Sequence, residues 1–576
     1  MQQEAREVVR DYTEAVFRRA RVPMEPLNYE VDWADQPSRH KSYPGAPRLP
    51  LPADPPALPS LRDLYTGEHL PPVTGWSLPR LAALLRLSYG VLDRRLAVNW
   101  NQDAAKRAHF EHAVWGRGTA SGGGMYPVEL YLVSGAGGPL LPGVHHYHTG
   151  AHVLERLLPG DLTGTVRAAL DVAGADGEAP GPGASYLLAT IRFWKNSFKY
   201  NSFCYHVVTQ DLGALLGSWD LLAPALGASV RRLLRFDPAP LDRLLGLDSD
   251  EESVFAVVPL DWAGGTPAPG SAAATAPESA TAPGSATAPG SATATGPAAA
   301  TAAGPAAPTA TGGSRARVRY HAFERSRRVR EFPAVTAVHR AAAAPAAPGT
   351  VDAATPRDLP GEPVALPEAR LDRLDRPLST VLTTRTSSFG RFRRPPELTA
   401  ADLATTLAFA AAGRRYPADV KGPDGGPPLT RLWVFANHVD GLPAGAYAYC
   451  ARRHALLPAG PEPDEGMSAF LQRQYFLTNY TMDQVGAVLA ISGRPDAVLD
   501  ALGPRGYRVL NAEVGTVAQR VYCAATAQRL GCGAVLGFDN VAMNTALGLD
   551  GTDERTVLFL LLGRHPETAA DLVYRL

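Results

Sequence analysis

The stretch GVHHYHTGAHVL, residues 143–154, returns in altered form as GAYAYCARRHAL at 445–456. Glycine, tyrosine and histidine recur at matching places, and the second stretch begins 302 positions after the first (445 minus 143). The tetrapeptide LGLD obeys the same offset, at 245–248 and again at 547–550. Because chance does not keep one offset over a hundred residues, the sequence predicts one fold used twice.

The segments around these repeats predict the same elements in each half. Apolar residues spaced by four and three mark a helix over 208–222, and the same stripe recurs over 510–524. Each helix carries a glycine, Gly213 or Gly515, that suits close packing against another backbone. Strand candidates are VELYLV and VFAVVPL in the first half, and TRLWVF and VLFLLLG in the second. This mixture predicts an α+β fold, with two fused domains that form an intrachain pseudo-dimer.

The bulk composition excludes several classes of protein. Among 576 residues, 56 are basic and 56 acidic, which argues against a nucleic-acid or membrane-surface role based on net charge. The four cysteines form no C-x-x-C pair, so neither a disulfide framework nor a metal site is expected. No apolar run reaches the roughly 18 residues of a membrane span, and the N-terminus lacks the apolar core of a signal peptide. A cytoplasmic protein is expected.

The composition also suggests how the chain is divided. One long run of alanine, proline, threonine and glycine has almost no large apolar side chains, so it is predicted to be a mobile linker. After it, Tyr320, Phe323, Phe332, Val335 and Val338 are expected to pack as a strap between the halves. The predicted organisation is an N-terminal extension (1–60), a first domain (61–263), the linker (264–314), the strap (315–350) and a second domain (351–576).

Two short motifs have the chemistry of a nucleotide-like ligand. RTSSFGRF (385–392) offers guanidinium forks and hydroxyls of the kind that a phosphomonoester needs, although such a loop is more often simply solvated. SGGGMYP (121–127) has glycines that let a backbone approach a flat ring and a serine that can hydrogen-bond it. An ordinary glycine-rich turn before a strand is the alternative interpretation.

A third motif, KYNSFCYH at 199–206, contains one of only five lysines in this arginine-rich chain. Its Lys199 is followed directly by Tyr200, and Lys195 lies four residues earlier. The alternative interpretation is that the lysine caps a surface helix and the tyrosine packs.

Together these motifs resemble the FMN-dependent nitroreductases, in their SagB-type (ThcOx) branch of peptide dehydrogenases. Those enzymes oxidise azolines to azoles on ribosomally made peptides. The resemblance covers both halves outside the linker, and it extends to LGCGAVLGFDN (530–540) and to the C-terminal stretch 560–576. It implies an FMN cofactor contacted by Arg385, Ser387, Arg391, Ser121, Gly123, Tyr126, Gly537, Phe538 and Arg575.

The same resemblance implies that Lys199 and Tyr200 perform proton transfer. The motif departs from the SagB-type Lys-Tyr-x-x-Arg-x-Tyr signature at Phe203, where the family usually has arginine. Unperturbed lysine and tyrosine have pKa values of about 10.4 and 10, so neither is a good base at neutral pH. Desolvation lowers a lysine pKa and a nearby cation favours tyrosinate, so an adjacent pair offers a way to tune both. Which of the two takes the proton stays open.

The two halves carry these motifs unequally. The second half has the arginine arm and the terminal arginine, whereas the first has the serine-glycine loop and the Lys-Tyr pair. At the 302 offset, the loop becomes PDGGPPL (423–429) and the pair becomes Ala501 and Leu502. In homodimeric nitroreductases each flavin lies at the interface, with the arm from one subunit and the loop from the other. Applied to the halves, this predicts one intact composite site and one FMN per chain.

The predicted function is therefore azoline oxidation on a precursor peptide, with a cyclodehydratase as the expected partner. Two alternatives remain at this point. One is a general FMN nitroreductase for small molecules, and the other is a non-catalytic scaffold of a peptide-modifying complex.

Overall fold

The two helices predicted from the repeated apolar stripes span Cys204–Ala225 and Gly506–Ala527. A Cβ built on Gly213 or on Gly515 would collide with a backbone carbonyl of the other helix. The helices therefore cross backbone to backbone at their glycines, as the sequence predicted. This crossing joins the two halves at the centre of the molecule.

The computed structural model describes residues 2–96, 113–171, 184–263, 316–345, 362–388, 392–393, 398–421, 424–460, 462–565 and 572–575. The predicted linker, 264–314, lies outside these ranges. Both halves belong to one unit, residues 1–265 with 317–576. None of the described helices is both long enough and apolar enough to cross a membrane.

The first half and the strap contain eight helices and eight strands within the described ranges. The helices are α1 (Gln2–Arg18), α2 (Leu61–Thr66), α3 (Leu78–Ser88), α4 (Thr163–Asp171), α5 (Trp194–Tyr200), α6 (Cys204–Ala225), α7 (Pro238–Leu245) and α8 (Pro333–Ala341). The strands are β1 (Arg48–Pro50), β2 (Asp93–Leu96), β3 (Ala113–Gly116), β4 (Val128–Ser134), β5 (Gly143–His148), β6 (Val153–Pro159), β7 (Ser185–Arg192) and β8 (Glu252–Leu260).

The described part of the second half adds six helices and ten strands. The helices are α9 (Leu378–Thr384), α10 (Ala400–Ala412), α11 (Met467–Gln474), α12 (Pro495–Leu502), α13 (Gly506–Ala527) and α14 (Asn540–Ala546). The strands are β9 (Val364–Ala365), β10 (Leu398–Thr399), β11 (Thr430–Ala436), β12 (Val439–Asp440), β13 (Gly445–Cys450), β14 (Ala455–Gly460), β15 (Ala487–Gly493), β16 (Leu530–Val535), β17 (Arg555–Arg564) and β18 (Leu572–Arg575).

Each half builds one antiparallel sheet, and the two sheets repeat each other. The first has the order β1-β6-β5-β4-β7-β8, and the second has the order β16-β17-β15-β11-β13-β14-β9. Counted from the opposite edge, the second sheet repeats five strands of the first. The order β6-β5-β4-β7-β8 corresponds to β14-β13-β11-β15-β17. The register is also repeated, since Tyr131 pairs with Leu188 in one sheet and Trp433 with Ala490 in the other. The fold is two fused α+β domains that repeat one topology within the chain, as predicted.

The repeated stretch that opened the sequence analysis forms the same local structure twice. Tyr147 Oη lies 2.8 Å from His152 Nδ1, and Tyr449 Oη lies 2.9 Å from His454 Nδ1. Both histidines have positive φ angles, 53° and 46°. The sequence match therefore reflects a shared turn stabilised by a tyrosine–histidine contact.

A small third sheet crosses between the halves. The C-terminal strand β18 pairs with β2, which pairs in turn with β3, so the order is β18-β2-β3. In this register Arg575 lies opposite Asp93. Because β3 leads directly into the glycine-rich loop, the end of the second half lies beside the start of that loop in the first.

Both parts of the predicted strap pack against the rest of the molecule, although not through every residue expected. Val338 in α8 is fully buried, and Arg508 of α13 donates to the carbonyl of His339 at 3.0 Å. The expectation that Tyr320 and Phe323 pack is wrong, because they are 38% and 55% exposed. The amphipathic helix docks, and the extended segment before it buries Val318 in the core of the first half.

Candidate functional site

The glycine-rich loop follows β3 and ends where β4 begins. Its Ser121 hydroxyl donates to Asp211 Oδ2 at 2.7 Å, and the Gly122 N–H donates to Asp211 Oδ1 at 2.7 Å. The Ser121 oxygen accepts the Tyr126 N–H at 2.9 Å. Because Asp211 belongs to α6, the central helix fixes the shape of this loop.

Sequence reasoning missed Asp211. It is buried, and burial raises its pKa to about 7 although the hydrogen bonds from Gly122 and Ser121 act in the opposite direction. The sequence signal that could have identified Asp211 is an acidic residue in the middle of a long, mostly apolar helix. A buried carboxylate in such a helix needs donors, and the loop provides them.

Two glycines of the loop form its exposed turn. Gly123 and Gly124 have φ angles of +62° and +67°, which side chains rarely tolerate. A Cβ on Gly123 would lie 2.6 Å from Tyr200 Oη and 2.8 Å from Lys199 Nζ, so the Lys-Tyr pair lies against the loop backbone. A Cβ on Gly124 would meet no described atom within 4 Å, so the backbone there faces open space.

The predicted catalytic pair ends helix α5. Lys199 Nζ lies 5.2 Å from the ring centre of Tyr200, and both side chains are partly buried. Within the residues that the structure describes, neither side chain forms a hydrogen bond or ion pair. Asn201, with a φ of +43°, ends the helix directly after the pair. Both groups are therefore available for chemistry at the loop.

A guanidinium reaches this place even though the motif has Phe203 where the signature usually has arginine. It belongs to Arg19, just after α1, whose Cζ lies 4.1 Å from the Phe203 ring centre. Burial lowers the pKa of Arg19 to about 10, while the neighbouring Tyr200 and Tyr12 act in the opposite direction. Sequence reasoning missed Arg19 because nothing in its local sequence connects it with a motif so distant in the chain.

The second half provides the segment predicted to lie at the flavin edge. The Gly537 carbonyl accepts the Phe476 N–H at 2.9 Å, and Phe538 is fully buried in a bridge with Tyr475. A Cβ on Gly537 would lie 2.7 Å from side-chain atoms of Tyr475 and Leu477. Phe476 and Leu477 are each 46% exposed, so apolar side chains cover this backbone at the surface.

The predicted arm also comes from the second half and binds the loop segment of the first. Arg385 is buried, and its Nε and Nη2 donate to the carbonyls of Gly118 and Arg117 at 2.9 and 3.0 Å. Ser387 Oγ lies 2.9 Å from Tyr522 Oη, which also accepts an N–H of β16 at 2.8 Å. The arm thus joins the loop of one half to a strand of the other.

Helix α13 adds a further contact to the same loop. Gln519 Nε2 donates to the Gly118 carbonyl at 3.0 Å, and Gln519 Oε1 accepts the Ala120 N–H at 3.0 Å.

The structure does not describe the side chains of two predicted site residues. Arg391 lies outside the described residues, and for Arg575 the structure describes only the backbone in β18.

Two observations test whether these residues fit FMN. The first is the glycine turn, which offers bare backbone and open space to a flat ring. The second is Arg117, which is 1% exposed, has its Cζ 4.3 Å from the Tyr126 ring centre, and leaves Nε and Nη1 without a partner among the described residues. Unsatisfied buried donors beside the arm suit an anionic group. Because Arg385 already uses two nitrogens on carbonyls, only its Nη1 remains for such a group. The residues fit FMN, with Nη1 of Arg385 and the Nε and Nη1 of Arg117 as the donors for its anionic end.

The matching place in the second half is filled by protein side chains. Glu513 stands 302 positions after Asp211 and accepts the N–H groups of Leu429 and Thr430 at 2.7 and 3.0 Å. It also pairs with Lys421 at 2.6 Å, with both side chains at most 2% exposed. A buried ion pair therefore holds this loop, and its Gly425 and Gly426 lie against the backbone of Tyr416 and Lys421 instead of against a Lys-Tyr pair and open space.

Lys195 belongs to a different environment from Lys199, although only one helical turn separates them. Its Nζ lies 2.7 Å from Glu129 Oε1, and the other oxygen of Glu129 lies 3.5 Å from His146 Nε2. Lys195 is therefore not a neutral comparison for Lys199, because it is a buried member of an ion-pair network.

A groove of about 1550 Å³ lies next to the Lys-Tyr segment. Its walls are α1, residues 22–32 and residues 330–338, and Ser202 contributes to its lining. Tyr12 Oη donates to the Ser202 carbonyl at 2.8 Å, which ties one wall to the segment that carries the pair.

Comparison with known families supports the assignment of the second half. Residues 384–564 match the family model described as Nitroreductase family. The chain carries a nitroreductase-family domain. No curated protein matches the sequence.

Solved structures extend the likeness to the whole chain. A protein named as a nitroreductase from Anabaena variabilis has a TM-score of 0.63 at 20% identity, covering 97% of this chain and 99% of its own. A second, from Ralstonia eutropha, has a TM-score of 0.27 at 20% identity and covers 39% of this chain and all of its own. The E. coli microcin synthetase complex has a TM-score of 0.27 at 16% identity, with 37% of this chain and 79% of its own. The first match shows the fold of both halves, and we draw nothing from the other two.

Proposed function

We propose that the protein is an FMN-dependent dehydrogenase of the SagB type, formed by internal duplication, that oxidises azoline rings to azoles on a ribosomally made precursor peptide. The observation that carries the proposal is the position of Lys199 and Tyr200. Both polar groups meet the turn at Gly123, beside open space at Gly124 and without other partners among the described residues.

The proposed cofactor lies between the halves. The first half would contribute the loop, with Ser121, Gly123 and Tyr126, and the second half would contribute Gly537 with Phe538. Arg385, Ser387, Arg391 and Arg575 are the proposed partners of its phosphate end. Bound FMN would supply the two-electron oxidant, accepting at N5 the hydride that leaves the ring β-carbon.

The chain's own groups would handle the proton. Lys199 or Tyr200 takes the proton from the ring α-carbon, and the electron pair of that C–H bond becomes part of the new double bond. Positioned acid–base groups of this kind typically contribute 10²–10⁴-fold to the rate. Ser121 and Asp211 do not touch the substrate in this account, since they hold the loop against which the pair is placed.

The groove that Ser202 helps to line is large enough for a peptide segment, and neither Lys199 nor Tyr200 lines it. Pockets for small molecules usually measure roughly 300–1,000 Å³, and this groove is larger, at about 1550 Å³. An azoline arises by dehydrative cyclisation of a Cys, Ser or Thr side chain onto the peptide backbone. A cyclodehydratase must therefore supply the substrate, and we place both enzymes in the cytoplasm, where precursor peptides are made.

The direct test is to mix the purified holoprotein, in air, with a synthetic peptide that carries one thiazoline. We expect each ring to lose two hydrogen atoms, seen by mass spectrometry, and the flavin to be bleached by the same peptide when dioxygen is excluded. Flavin that NADPH and a nitroaromatic turn over, but that the thiazoline peptide leaves oxidised, would overturn the proposal in favour of a general nitroreductase. That alternative draws on the family match of residues 384–564. A colourless protein that cannot be loaded with FMN would instead indicate a scaffold.

A further inference from the structure

Arg19 lies where the two halves meet beside the Lys-Tyr pair. Its Cζ is 4.1 Å from the ring centre of Phe203, in the first half, and 5.3 Å from that of Phe476, in the second. The Phe203 ring centre is itself 6.4 Å from that of Tyr200. Phe476 is hydrogen-bonded through its N–H to the Gly537 carbonyl. Arg19 therefore bridges the proton-transfer pair and the proposed flavin edge.

The charge of Arg19 has no acidic partner in the part of the chain that the structure describes. Its neighbours differ, because Arg18 pairs with Glu14 and Arg21 lies 2.8 Å from Asp539. The flanking aromatic rings offer cation–π contact but cannot accept the in-plane hydrogen bonds of a guanidinium. A partly buried guanidinium with unused donors is suited to bind an anionic oxygen.

The proposed reaction produces such an oxygen. The ring α-carbon is attached to the exocyclic carbonyl of the next peptide bond. When its proton leaves for Lys199 or Tyr200, the electron pair left behind spreads onto that carbonyl oxygen. The pair then forms the new ring double bond as the hydride departs from the β-carbon to FMN. A cation aimed at the carbonyl oxygen stabilises the stage at which the oxygen carries charge.

We propose that Arg19 binds the carbonyl oxygen next to the reacting ring and stabilises the negative charge that develops there. This inference rests on the proposed function. It assigns to the N-terminal extension a residue that contacts substrate. It also explains why Phe203 can occupy the position of the signature arginine, because the guanidinium comes from the turn after α1 and lies over the phenylalanine ring.

The test compares Arg19→Gln and Arg19→Lys with Arg10→Gln as the matched control, since Arg10 lies on α1, pairs with Asp496 and does not line the groove. On the thiazoline peptide, we expect Arg19→Gln to keep FMN and Tm, to lower kcat by roughly 10²–10³ as for loss of one oxyanion donor, and to change KM little. Arg19→Lys should recover part of the rate, and Arg10→Gln should match wild type.

A binding measurement gives a second readout that does not depend on turnover. Thiazole-4-carboxylate and its neutral carboxamide are titrated into the oxidised holoprotein, and binding is followed by the flavin absorbance. We expect wild type to prefer the carboxylate and Arg19→Gln to lose that preference by at least about tenfold, which corresponds to roughly 1.4 kcal/mol.

Two results would overturn the inference. One is an Arg19→Gln variant with wild-type kcat and unchanged carboxylate preference. The other is an equal loss of rate and Tm in both Arg19 variants with the preference intact, which would make the residue a structural clamp. If wild type made no azole at all, the proposed function would fail, and the carboxylate titration alone would still decide whether Arg19 is an anion site.

Discussion

Gly213 and Gly515 lie at the crossing of α6 and α13, and each leaves room for the backbone of the opposite helix. They stand 302 residues apart in sequence (515 minus 213) and are related by the repeat itself. A side chain at either position would separate the helices on which the loop, through Asp211, and the arm, through Tyr522, are positioned. The composite site therefore depends on this crossing.

We expect Gly213→Ala to destabilise the protein strongly, because its methyl group would overlap the carbonyl of Ala512. Overpacking of this kind typically costs about 1–3 kcal/mol, and more where backbone must move. Gly164→Ala is the matched control, since it lies in helix α4 and its Cβ would meet no described atom within 4 Å. Chemical denaturation measures both; equal stability of the two variants would contradict the close crossing.

Substitution of Lys195 should lower the stability of the protein, whereas substitution of Lys199 should lower its activity. Lys195→Ala leaves Glu129 buried without its cation, which typically costs about 3–5 kcal/mol of folding free energy. Lys199→Ala and Tyr200→Phe should keep Tm and FMN but lose azole formation by roughly 10²–10⁴-fold. Thermal unfolding and single-ring turnover separate the two effects. If Lys199→Ala lost FMN, it would be a cofactor ligand, and the proton-transfer role would be wrong.

Asp211 should make stability depend on pH. Its pKa is raised by burial from 3.8 to about 7, so between these values the folded protein holds a proton that the unfolded chain has released. Stability should therefore fall as pH rises from about 4 to 7, by at most about 1.4 kcal/mol per pH unit from this group, and then level off.

Asp242 has a pKa raised in the same direction, to about 7, so wild type alone cannot identify the residue. The measurement is the difference in unfolding free energy between wild type and Asp211→Asn across that range. A difference that stays constant with pH would show that Asp211 does not titrate in the folded state.

Arg385→Ala should release FMN, and the loss of activity should follow from the loss of the cofactor. The substitution removes the donors that hold the carbonyls of Arg117 and Gly118, so the loop loses its anchor to the second half. Arg376→Ala is the control, because Arg376 also donates to a backbone carbonyl, that of Thr526 at 3.0 Å, away from the loop. Flavin absorbance after gel filtration reports the outcome, and full retention in Arg385→Ala would remove the arm from the cofactor site.

The repetition in the sequence was enough to predict the fold. The two helical stripes and the four strand candidates each correspond to a helix or strand of the structure, and the constant offset corresponds to the repeated sheet. Periodic apolar residues predict these elements because the apolar face of a helix or strand is the face that becomes buried. The packing role of Gly213 could be predicted for the same reason. Local pattern was less informative for the strap, where Tyr320 and Phe323 are apolar yet exposed.

The site was only partly predictable. Motifs identified the loop and the Lys-Tyr pair, and the structure brings these together at Gly123. Asp211, Gln519 and Arg19 were missed, since each reaches the site from a distant part of the chain and carries no motif. The burial of Lys195 was likewise invisible, because its partner Glu129 lies on β4, far from helix α5 in the sequence.

If one composite site forms between the two unequal halves, each chain binds one FMN, and the flavin content of the protein measures this. FMN released from the purified, FMN-saturated protein by heat is quantified by its absorbance against protein concentration. We expect a ratio near one per chain, because the loop of the second half is occupied by the Lys421–Glu513 ion pair. A ratio near two, or no bound FMN at all, would contradict the account.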